Sequence, residues 1–206
     1  MAAPITVLTT TIPGRERMLV ENMESVYRQS VPVARQIIDA HHPDETLGEP
    51  MVQYSKAKNR MLPGVKTQWV AVLNDDDFWL PNHVEQIAPH LKDADVIYTF
   101  ESGNTRPRVN INEWTREQLI RQITFGNIID GNSAIRTSLL RKVGGFPTDW
   151  VGRYPPGQGG HYRDSPAIFE DQELWLKLLA AGARFRCVPE ITYHYRTGHD
   201  RISMAP

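Results

Sequence analysis

Cysteine is nearly absent from this chain, since Cys187 is the only one among 206 residues. A single thiol excludes an intramolecular disulfide, and it also excludes a zinc site built from several cysteines. The fold must therefore rest on its apolar core. Apolar residues make up 40% of the chain, which at this length is enough for a sizeable core.

An excess of charge and long apolar runs are also missing. The formal net charge is -1, so the composition gives no sign of a protein that binds nucleic acid. No stretch approaches about eighteen consecutive apolar residues, so we expect no transmembrane helix. The start, MAAPITVLTTT, lacks the basic stretch and long apolar run of a signal peptide, so we expect a cytoplasmic protein.

Strand and helix patterns alternate through the first half of the chain. This alternation is typical of an α/β fold in which a mostly parallel, Rossmann-like sheet has helices on both faces. The first helix carries Leu19, Met23, Val26 and Tyr27 at helical spacing, which predicts an apolar face. The predicted strands are 5–9, 36–40, 69–73 and 95–100, and the predicted helices are 15–29, 54–62 and 82–91.

The second half is less regular, and 144–166 is expected to be an irregular segment because it holds six glycines and four prolines. A T-x-x-Q capping box opens one predicted helix. Leu174, Trp175, Leu178 and Leu179 should face inward on another. The predicted helices are 115–123, 137–143 and 170–181, and two predicted strands, 184–188 and 191–195, surround a turn at Pro189. The length favours a single domain over 1–206.

Three adjacent aspartates, Asp75, Asp76 and Asp77, follow the buried strand predicted at 69–73. Ligands of α/β sheets bind at the carboxyl ends of strands. Neighbouring carboxylates repel one another and need a positive partner when water is excluded. We therefore expect a site for Mg²⁺ or Mn²⁺, which prefer carboxylate and phosphate oxygens. The alternative is a solvated turn ahead of the helix that follows Pro81.

A second acidic pair, Glu170 and Asp171, opens the last predicted helix. Acidic residues at a helix start are commonly caps that interact favourably with the helix dipole. The alternative is a general base at the edge of a pocket. A helix start lowers the pKa of an aspartate, so burial or nearby carboxylates would have to raise it again.

Other polar residues have two interpretations each. A basic group before the third strand could meet phosphate or could be a solvated surface. His194 and His199 could bind metal or phosphate, although a lone histidine is more often structural. Trp79 is expected to pack against the sheet. The basic group consists of Lys56, Lys58, Arg60 and Lys66.

Six segments together resemble the family 2 glycosyltransferases, which have the GT-A fold. In chain order they are ITVLTTTIPGRERMLVENMESVYRQS, KAKNRML, VAVLNDDDFWLPNH, LLRKVGGFP, EDQELWLKLLAAGARFRCVP and YHYRTGHDRIS. They are similar to the family's first strand and helix, its ArN, DxDD, GGF and ED segments, and its C-terminal segment. The segments are individually weak, but their order and their spread over nearly the whole chain make the resemblance specific.

This resemblance implies transfer of a hexose from a nucleotide-diphosphate sugar, with a UDP-sugar as the first expectation, to a hydroxyl of a glycan, lipid or protein. It further implies inversion at the anomeric carbon and Mn²⁺ or Mg²⁺ as cofactor. The halves would be 1–101 for the nucleotide sugar and 102–206 for the acceptor. By the same resemblance, the catalytic residues are Asp171 as base with Glu170 before it, the metal ligands are Asp76, Asp77 and His199, and the substrate-binding residues are Thr9, Thr11, Arg15, Asp39, Lys58, Asn59, Asn74, Asp75 and Trp150.

The chain departs from the family pattern at two places. Asn74 replaces the first aspartate of the DxDD segment, and His41 stands where an acid is usual. Asp39 would take the nucleobase or ribose role, displaced by about one residue. These departures leave the donor nucleobase open, and they support a second hypothesis, a nucleotide-sugar-binding module without catalysis. A nucleotidyltransferase is less consistent with the sequence, because TTTIPGRER is a poor Gly-rich phosphate loop.

Overall fold

The chain is built on one seven-stranded sheet, seen in a computed structural model that describes residues 2–40, 50–103, 108–148 and 170–197. The strands are β1 (Ala3–Thr11), β2 (Val33–Ala40), β3 (Trp69–Val72), β4 (Phe78–Trp79), β5 (Val96–Ser102), β6 (Ala134–Arg136) and β7 (Phe185–His194). The helices are α1 (Glu16–Tyr27), α2 (Pro50–Met61), α3 (His83–Ile87), α4 (Arg116–Phe125), α5 (Thr137–Lys142) and α6 (Glu170–Ala180), and short 3₁₀ turns at Leu62–Gly64 and Ala88–His90 follow α2 and α3.

The strands lie in the order β2-β1-β3-β6-β5-β7-β4. The long pairings, β1 with β2, β1 with β3 and β5 with β7, are parallel, which confirms the predicted α/β fold with a mostly parallel sheet. The short strands β4 and β6 pair antiparallel with their neighbours. Sequence reasoning missed both, because strands of two and three residues are too short to show an alternating pattern. β6 separates β3 from β5, and so draws both predicted halves of the chain into one sheet.

Two details of the predicted elements were wrong. The strands expected on either side of Pro189 are one strand, β7, which continues through irregular register opposite Thr99 and Phe100. On α1, Tyr27 is 89% exposed and Met23 is 43% exposed, while the helix buries Asn22 and Val26. Helix α1 turns Asn22 and Val26 towards the sheet because Asn22 makes hydrogen bonds to the loop after β3.

Both faces of the sheet are covered, and β3 shows this most clearly. Val70 and Val72 pack into one apolar cluster, and Trp69 and Ala71 pack into the other. A strand that is buried on both faces must be apolar at every position. Each fully buried large side chain contributes about 1.5–3 kcal/mol to stability. β3 is therefore a rigid base from which the aspartates extend.

The predicted capping box at the start of α4 and the predicted inward face of α6 are confirmed. Thr115 and Gln118 form the capping box at the start of α4. The four side chains of α6 that were predicted to face inward are at most 2% exposed, and the chain turns after the helix at Gly182 with φ +90°. These four are Leu174, Trp175, Leu178 and Leu179.

A two-point contact ties α2 to the turn after α5. The Asn59 side chain accepts a hydrogen bond from the Phe146 N–H and donates one to the Phe146 carbonyl, each at 2.8 Å. Gly145 allows this approach, because its φ is +85° and a Cβ there would lie 2.4 Å from Asn59 Oδ1. The KAKN and GGF segments are thus two halves of one structural contact.

We predict that Gly145→Ala destabilises the fold more than Gly144→Ala does. Both glycines have positive φ, but a Cβ on Gly144 would meet nothing within 4 Å. Gly144→Ala should therefore cost only the backbone strain, roughly 1 kcal/mol, and Gly145→Ala should cost about 1–3 kcal/mol more because the Asn59 contact breaks. Urea unfolding of the two variants measures the difference, and equal losses would rule out the contact as its cause.

Candidate active site

Asn22 organises the loop that follows β3. Its side chain is fully buried, and its Nδ2 donates to the carbonyls of Asn74 at 2.7 Å and Asp77 at 3.0 Å. Its Oδ1 accepts from Gln36 Nε2 at 2.8 Å, and Thr9 Oγ1 lies 3.5 Å away. One amide thus joins α1, β1, β2 and the aspartate loop. It fixes the carbonyls on either side of Asp75 and Asp76.

Asp75 and Asp76 share a single guanidinium. Arg15 Nη1 lies 2.9 Å from Asp75 Oδ1 and 3.1 Å from Asp76 Oδ2. Arg15 is 6% exposed and Asp75 is 1% exposed, so water screens this interaction weakly. Burial lowers the pKa of Arg15, but Asp75 and Asp76 more than offset this and hold it above its usual value. Arg15 is thus a positive partner for two of the three adjacent carboxylates, Asp75 and Asp76.

The carboxylates of Asp75 and Asp76 have the chemistry of a divalent-cation site. Burial raises the pKa of Asp75, and hydrogen bonding to Thr11 and the charge of Arg15 oppose this. Asp75 Oδ2 is buried and has no hydrogen-bond partner among the described residues, so a cation could bind this oxygen. Within the described ranges, no three His, Cys, Asp or Glu side chains form a metal-binding group. Two carboxylates still fit Mg²⁺ or Mn²⁺, which commonly use one or two carboxylates plus substrate phosphates.

Asp77 is held by protein donors on both of its oxygens. Asn132 Nδ2 donates to Oδ2 at 2.6 Å, and the Arg196 N–H donates to Oδ1 at 2.9 Å. Burial, followed by the charges of Asp76 and Asp130, raises the pKa of Asp77 well above its usual value. The family resemblance implies a metal ligand at Asp77, but these contacts favour a role in orienting the loop.

Arg196 fastens the end of β7 to the same loop. Its Nε donates to the Asp76 carbonyl at 2.9 Å, and its Nη2 pairs with Glu21 on α1. The guanidinium also lies 5.8 Å from the centre of the Phe78 ring. The loop is thus held from α1 by Asn22, from the 130–133 segment by Asn132 and from the C-terminal side by Arg196.

Asp171 is the other carboxylate of interest, and it lies at the start of α6. Asn127 Nδ2 donates to its Oδ2 at 2.7 Å, and the Gln172 N–H donates to its Oδ1 at 2.9 Å. Burial, aided by the charges of Glu170 and Asp130, raises the pKa of Asp171 to about 7 despite these two donors. A simple helix cap would have a lowered pKa, so the structure favours the alternative interpretation as a base.

Glu170 has a different neighbour. Its Oε1 lies 2.7 Å from Lys58 Nζ, and both side chains are at most 10% exposed. Lys58 also lies 5.2 Å from the centre of the Phe146 ring. The pair connects α2 to the start of α6, so Glu170 holds Lys58 and fixes the backbone beside Asp171.

A short segment connects the two acidic centres. Asn132 Oδ1 accepts from the Asn74 N–H at 3.0 Å while its Nδ2 binds Asp77. One residue earlier, a Cβ added to Gly131 would lie 3.5 Å from Asp171 Oδ2. Residues 130–132 therefore run from the aspartate loop to the carboxylate of Asp171.

Asp39 lies at the end of β2, beside an open groove of about 520 Å³. It forms a two-point ion pair with Arg60, with distances of 3.0 Å and 3.2 Å. On β1, Thr9 Oγ1 accepts from Gln36 Nε2 at 2.9 Å. Thr9, Thr11 and Asp39 are thus at the strand ends where the sequence predicted them.

Other predicted site residues have structural contacts. Both ends of the Asn59 amide bind Phe146, so the geometry gives no support to a substrate contact there. His194 stacks on Phe78 with ring centres 4.9 Å apart and lies 3.0 Å from Ser102 Oγ. Trp79 is buried as predicted. Trp150, His199, His41 and the 149–169 segment lie outside the described residues.

Sequence reasoning missed four residues of this site: Asn22, Asn132, Arg196 and Tyr54. Asn22 was detectable in principle as a polar residue on the buried face of α1. Asn132 lies in the turn IDGNS, which resembles any Asn-Gly loop. Tyr54 on α2 is coupled electrostatically to Asp75, Arg15, Asp76 and Glu170, but only the packing of α2 reveals this.

No helix in the described part of the chain has the length and apolar character needed to span a membrane.

We predict that Asn132→Ala loosens the aspartate loop at a cost of about 2–4 kcal/mol in unfolding free energy. The change leaves the Asn74 N–H and the Asp77 carboxylate without their buried partner, and each such group costs about 1–3 kcal/mol. Asn110→Ala is the control, because Asn110 is exposed and its side chain accepts a local hydrogen bond from the Asn112 N–H. Chemical denaturation measures both, and losses of similar size would contradict the bridging role of Asn132.

Part of the chain is similar to a known protein family. The sequence profile described as Glycosyl transferase family 2 matches residues 49–144. A search of curated protein sequences finds no significant match.

The similarity to solved structures extends over nearly the whole chain. The described fold is similar to S. aureus TarS 1-349 in complex with UDP-GlcNAc, with a TM-score of 0.67, 16% identity, and coverage of 100% of this chain and 62% of that chain. It is also similar to the mannosyltransferase PcManGT from Pyrobaculum calidifontis in complex with GDP-Man and Mn²⁺, with a TM-score of 0.59, 15% identity, and coverage of 95% and 57%. The chain thus spans about three fifths of the length of these proteins.

These comparisons confirm the resemblance to the family 2 glycosyltransferases: residues 49–144 match that family's profile, and the chain has the GT-A fold.

Proposed function

We propose that the chain is a metal-dependent glycosyltransferase, which moves a hexose from a nucleotide-diphosphate sugar to an acceptor hydroxyl with inversion. One observation carries the proposal. An acidic pair at the end of β3, of which Asp75 is buried, and a carboxylate with a pKa of about 7 at the start of α6 are joined by the 130–132 segment. The first centre suits a charged leaving group, and the second suits proton removal from an acceptor.

The donor would lie across the ends of β1, β2 and β3. Asp76, with Asp75 beside it, would hold Mn²⁺ or Mg²⁺, and a bound cation supplies positive charge opposite the diphosphate that leaves. Asp39 and the β1 threonines would contact the nucleoside. A UDP-sugar remains our first expectation, and similar structures contain either UDP-GlcNAc or GDP-Man, so both are candidate donors.

Asp171 would take the proton of the acceptor hydroxyl as that oxygen attacks the sugar. An aspartate with a pKa of about 7 is largely ionised just above neutral pH and still basic enough to accept a proton. Asn127 orients the carboxylate through its hydrogen bond at 2.7 Å. A single displacement needs no nucleophilic side chain and inverts the anomeric carbon.

The acceptor would enter next to Asn127. A cavity of about 110 Å³ lies there between β5 and the 127–130 segment. Glu101 and Asp130 contribute acidic groups to its lining, and Tyr98 and Phe100 contribute aromatic rings. Rings of this kind suit the apolar face of a sugar. We propose, as the family resemblance implies, that 1–101 supplies most of the donor side and 102–206 most of the acceptor side, although Tyr98, Phe100 and Glu101 of the first half also line this cavity.

The donor proposal predicts that a nucleotide sugar with Mn²⁺ stabilises the folded chain. A ligand at about 100 times its Kd stabilises by about 2.7 kcal/mol, which raises the melting temperature visibly. UDP-GlcNAc and GDP-Man are the first probes in a thermal-shift screen. Asp76→Ala should lose the Mn²⁺-dependent part of the shift, whereas Asp93→Ala, at an exposed residue distant in sequence, should keep it.

Two results would count against the proposal. A full Mn²⁺-dependent shift in Asp76→Ala would remove Asp76 from the site. Stabilisation by donor without any sugar transfer or donor hydrolysis would leave the second hypothesis, a nucleotide-sugar-binding module.

The base proposal predicts that transfer increases with pH and levels off above about pH 7, because Asp171 must lose its proton. Asp171→Asn should lower turnover by roughly 10²–10⁴-fold with donor binding retained. Asn127→Ala should move the midpoint to higher pH, since the lost hydrogen bond stabilised the ionised carboxylate.

The titration of Asp171 also makes the stability of the fold depend on pH. The folded state holds the Asp171 proton up to about pH 7, while an unfolded aspartate loses it near 4. The stability that this group contributes is therefore complete below about pH 4 and is lost as pH rises through 7. Asp171→Asn should remove this decline in stability.

The pH dependence of transfer has its own contradicting outcome. An unchanged pH-rate profile in Asn127→Ala would show that a group other than Asp171 titrates.

A further inference from the structure

Arg15 binds the same oxygens that a divalent cation would need. One nitrogen, Nη1, lies within 3.1 Å of both Asp75 Oδ1 and Asp76 Oδ2. The Arg15 side chain is 7% exposed, so the contact is enclosed by protein and is not a surface ion pair. A cation bound by Asp76 would therefore have to meet a guanidinium already in place.

Because of their charges, Arg15 and a divalent cation cannot both bind Asp75 and Asp76 with full affinity. Asp75 and Asp76 together carry two negative charges, which Arg15 halves and a divalent cation would neutralise. With both present, the guanidinium and the cation would share neighbouring oxygens and repel each other. In a setting with few water molecules, like charges about 4 Å apart repel by several kcal/mol.

We propose that Arg15 and the divalent cation compete for Asp75 and Asp76, and that Arg15, once released, binds the diphosphate of the donor. This inference rests on the proposed function, because it assumes a diphosphate at the end of β3. Its new content is a role for Arg15 as an internal counter-ion of Asp75 and Asp76. Arg15 offsets half of the carboxylate charge before the cation binds, and its guanidinium moves from carboxylate to phosphate when the cation and the diphosphate bind.

The position of Arg15 suits such an exchange. It lies at the N-cap of α1, directly after the segment 12–14 that follows β1, with φ −110° and ψ 17°. The backbone before it turns at Gly14, which has φ +88° and open space around it. A guanidinium forms charge-assisted hydrogen bonds to carboxylate and to phosphate with similar geometry. A short side-chain movement could therefore replace one oxygen partner by the other.

The loop that carries the carboxylates does not need Arg15 to keep its shape. Asn22, Asn132 and Arg196 bind its backbone and Asp77, and none of these contacts involves Arg15. Removal of the guanidinium should therefore leave two carboxylates in place with their negative charge exposed to a cation. This separates a counter-ion from a residue that merely supports the loop.

The test measures Mn²⁺ binding to the intact chain without nucleotide. Free Mn²⁺ is counted by electron paramagnetic resonance in wild type, Arg15→Gln and Arg17→Gln. Arg17 is the matched control, because it lies on the same helix, pairs with Glu21 and is 94% exposed. We expect Arg15→Gln to bind Mn²⁺ roughly tenfold more tightly than wild type, and Arg17→Gln to bind as wild type does.

A second measurement uses inorganic pyrophosphate as a probe for the diphosphate, with Mn²⁺ at saturation. Arg15→Gln should bind pyrophosphate several-fold more weakly, while Arg17→Gln should match wild type. The two effects of Arg15→Gln are opposite in sign, tighter for metal and weaker for diphosphate. A purely structural arginine would weaken both or neither.

Arg15→Lys covers the case in which Arg15→Gln does not fold, as judged by its melting curve. Lysine keeps the charge but offers a single nitrogen on a shorter reach, so its Mn²⁺ affinity should lie above that of wild type. Equal Mn²⁺ affinity in wild type and in the folded variants overturns the competition, and leaves the proposed transferase intact. Absence of Mn²⁺ binding in every variant, even with pyrophosphate, overturns the competition together with the proposed metal dependence.

Discussion

The structure depends on how negative charge is compensated at the end of β3. All four residues of this strand are buried, and the aspartates follow it after only two residues. Asp75 is 1% exposed and Asp77 is 2% exposed, so each would be costly without a donor or an opposite charge. Arg15 neutralises one side of the loop, and Asn132 with the Arg196 N–H satisfies the other. The helices and the C-terminal strand are arranged around this requirement.

The three aspartates have separate roles because their partners differ. Both carboxylate oxygens of Asp77 accept hydrogen bonds from protein donors, which shape the loop. Asp75 and Asp76 pair instead with Arg15, which we propose a divalent cation displaces. Burial and the charge of Glu170 raise the pKa of Asp171, while Glu170 itself is paired with Lys58. Neighbouring acids thus differ in chemistry by virtue of a few amides and cations. That separation makes a metal site and a base possible within one fold.

Much of this was predictable from the sequence, and the limits have physical causes. The alternation of strand and helix indicated the α/β fold, and the position of Asp75–Asp77 after an apolar strand indicated their place at a sheet edge. The antiparallel β6 has only three residues and gave no pattern. Asn22 and Asn132 act through long-range hydrogen bonds, to residues 52 and 55 positions away, which local sequence cannot show. The raised pKa of Asp171 likewise depends on burial, since its place at a helix start predicted the opposite shift.

The most direct measurement is the anomalous scattering of Mn²⁺ in crystals of the chain grown with UDP and MnCl₂. The account predicts a manganese peak at the Asp76 carboxylate, with Arg15 turned from Asp76 towards the phosphates. A peak at another place, or a nucleotide bound while Arg15 still bridges Asp75 and Asp76, would contradict it.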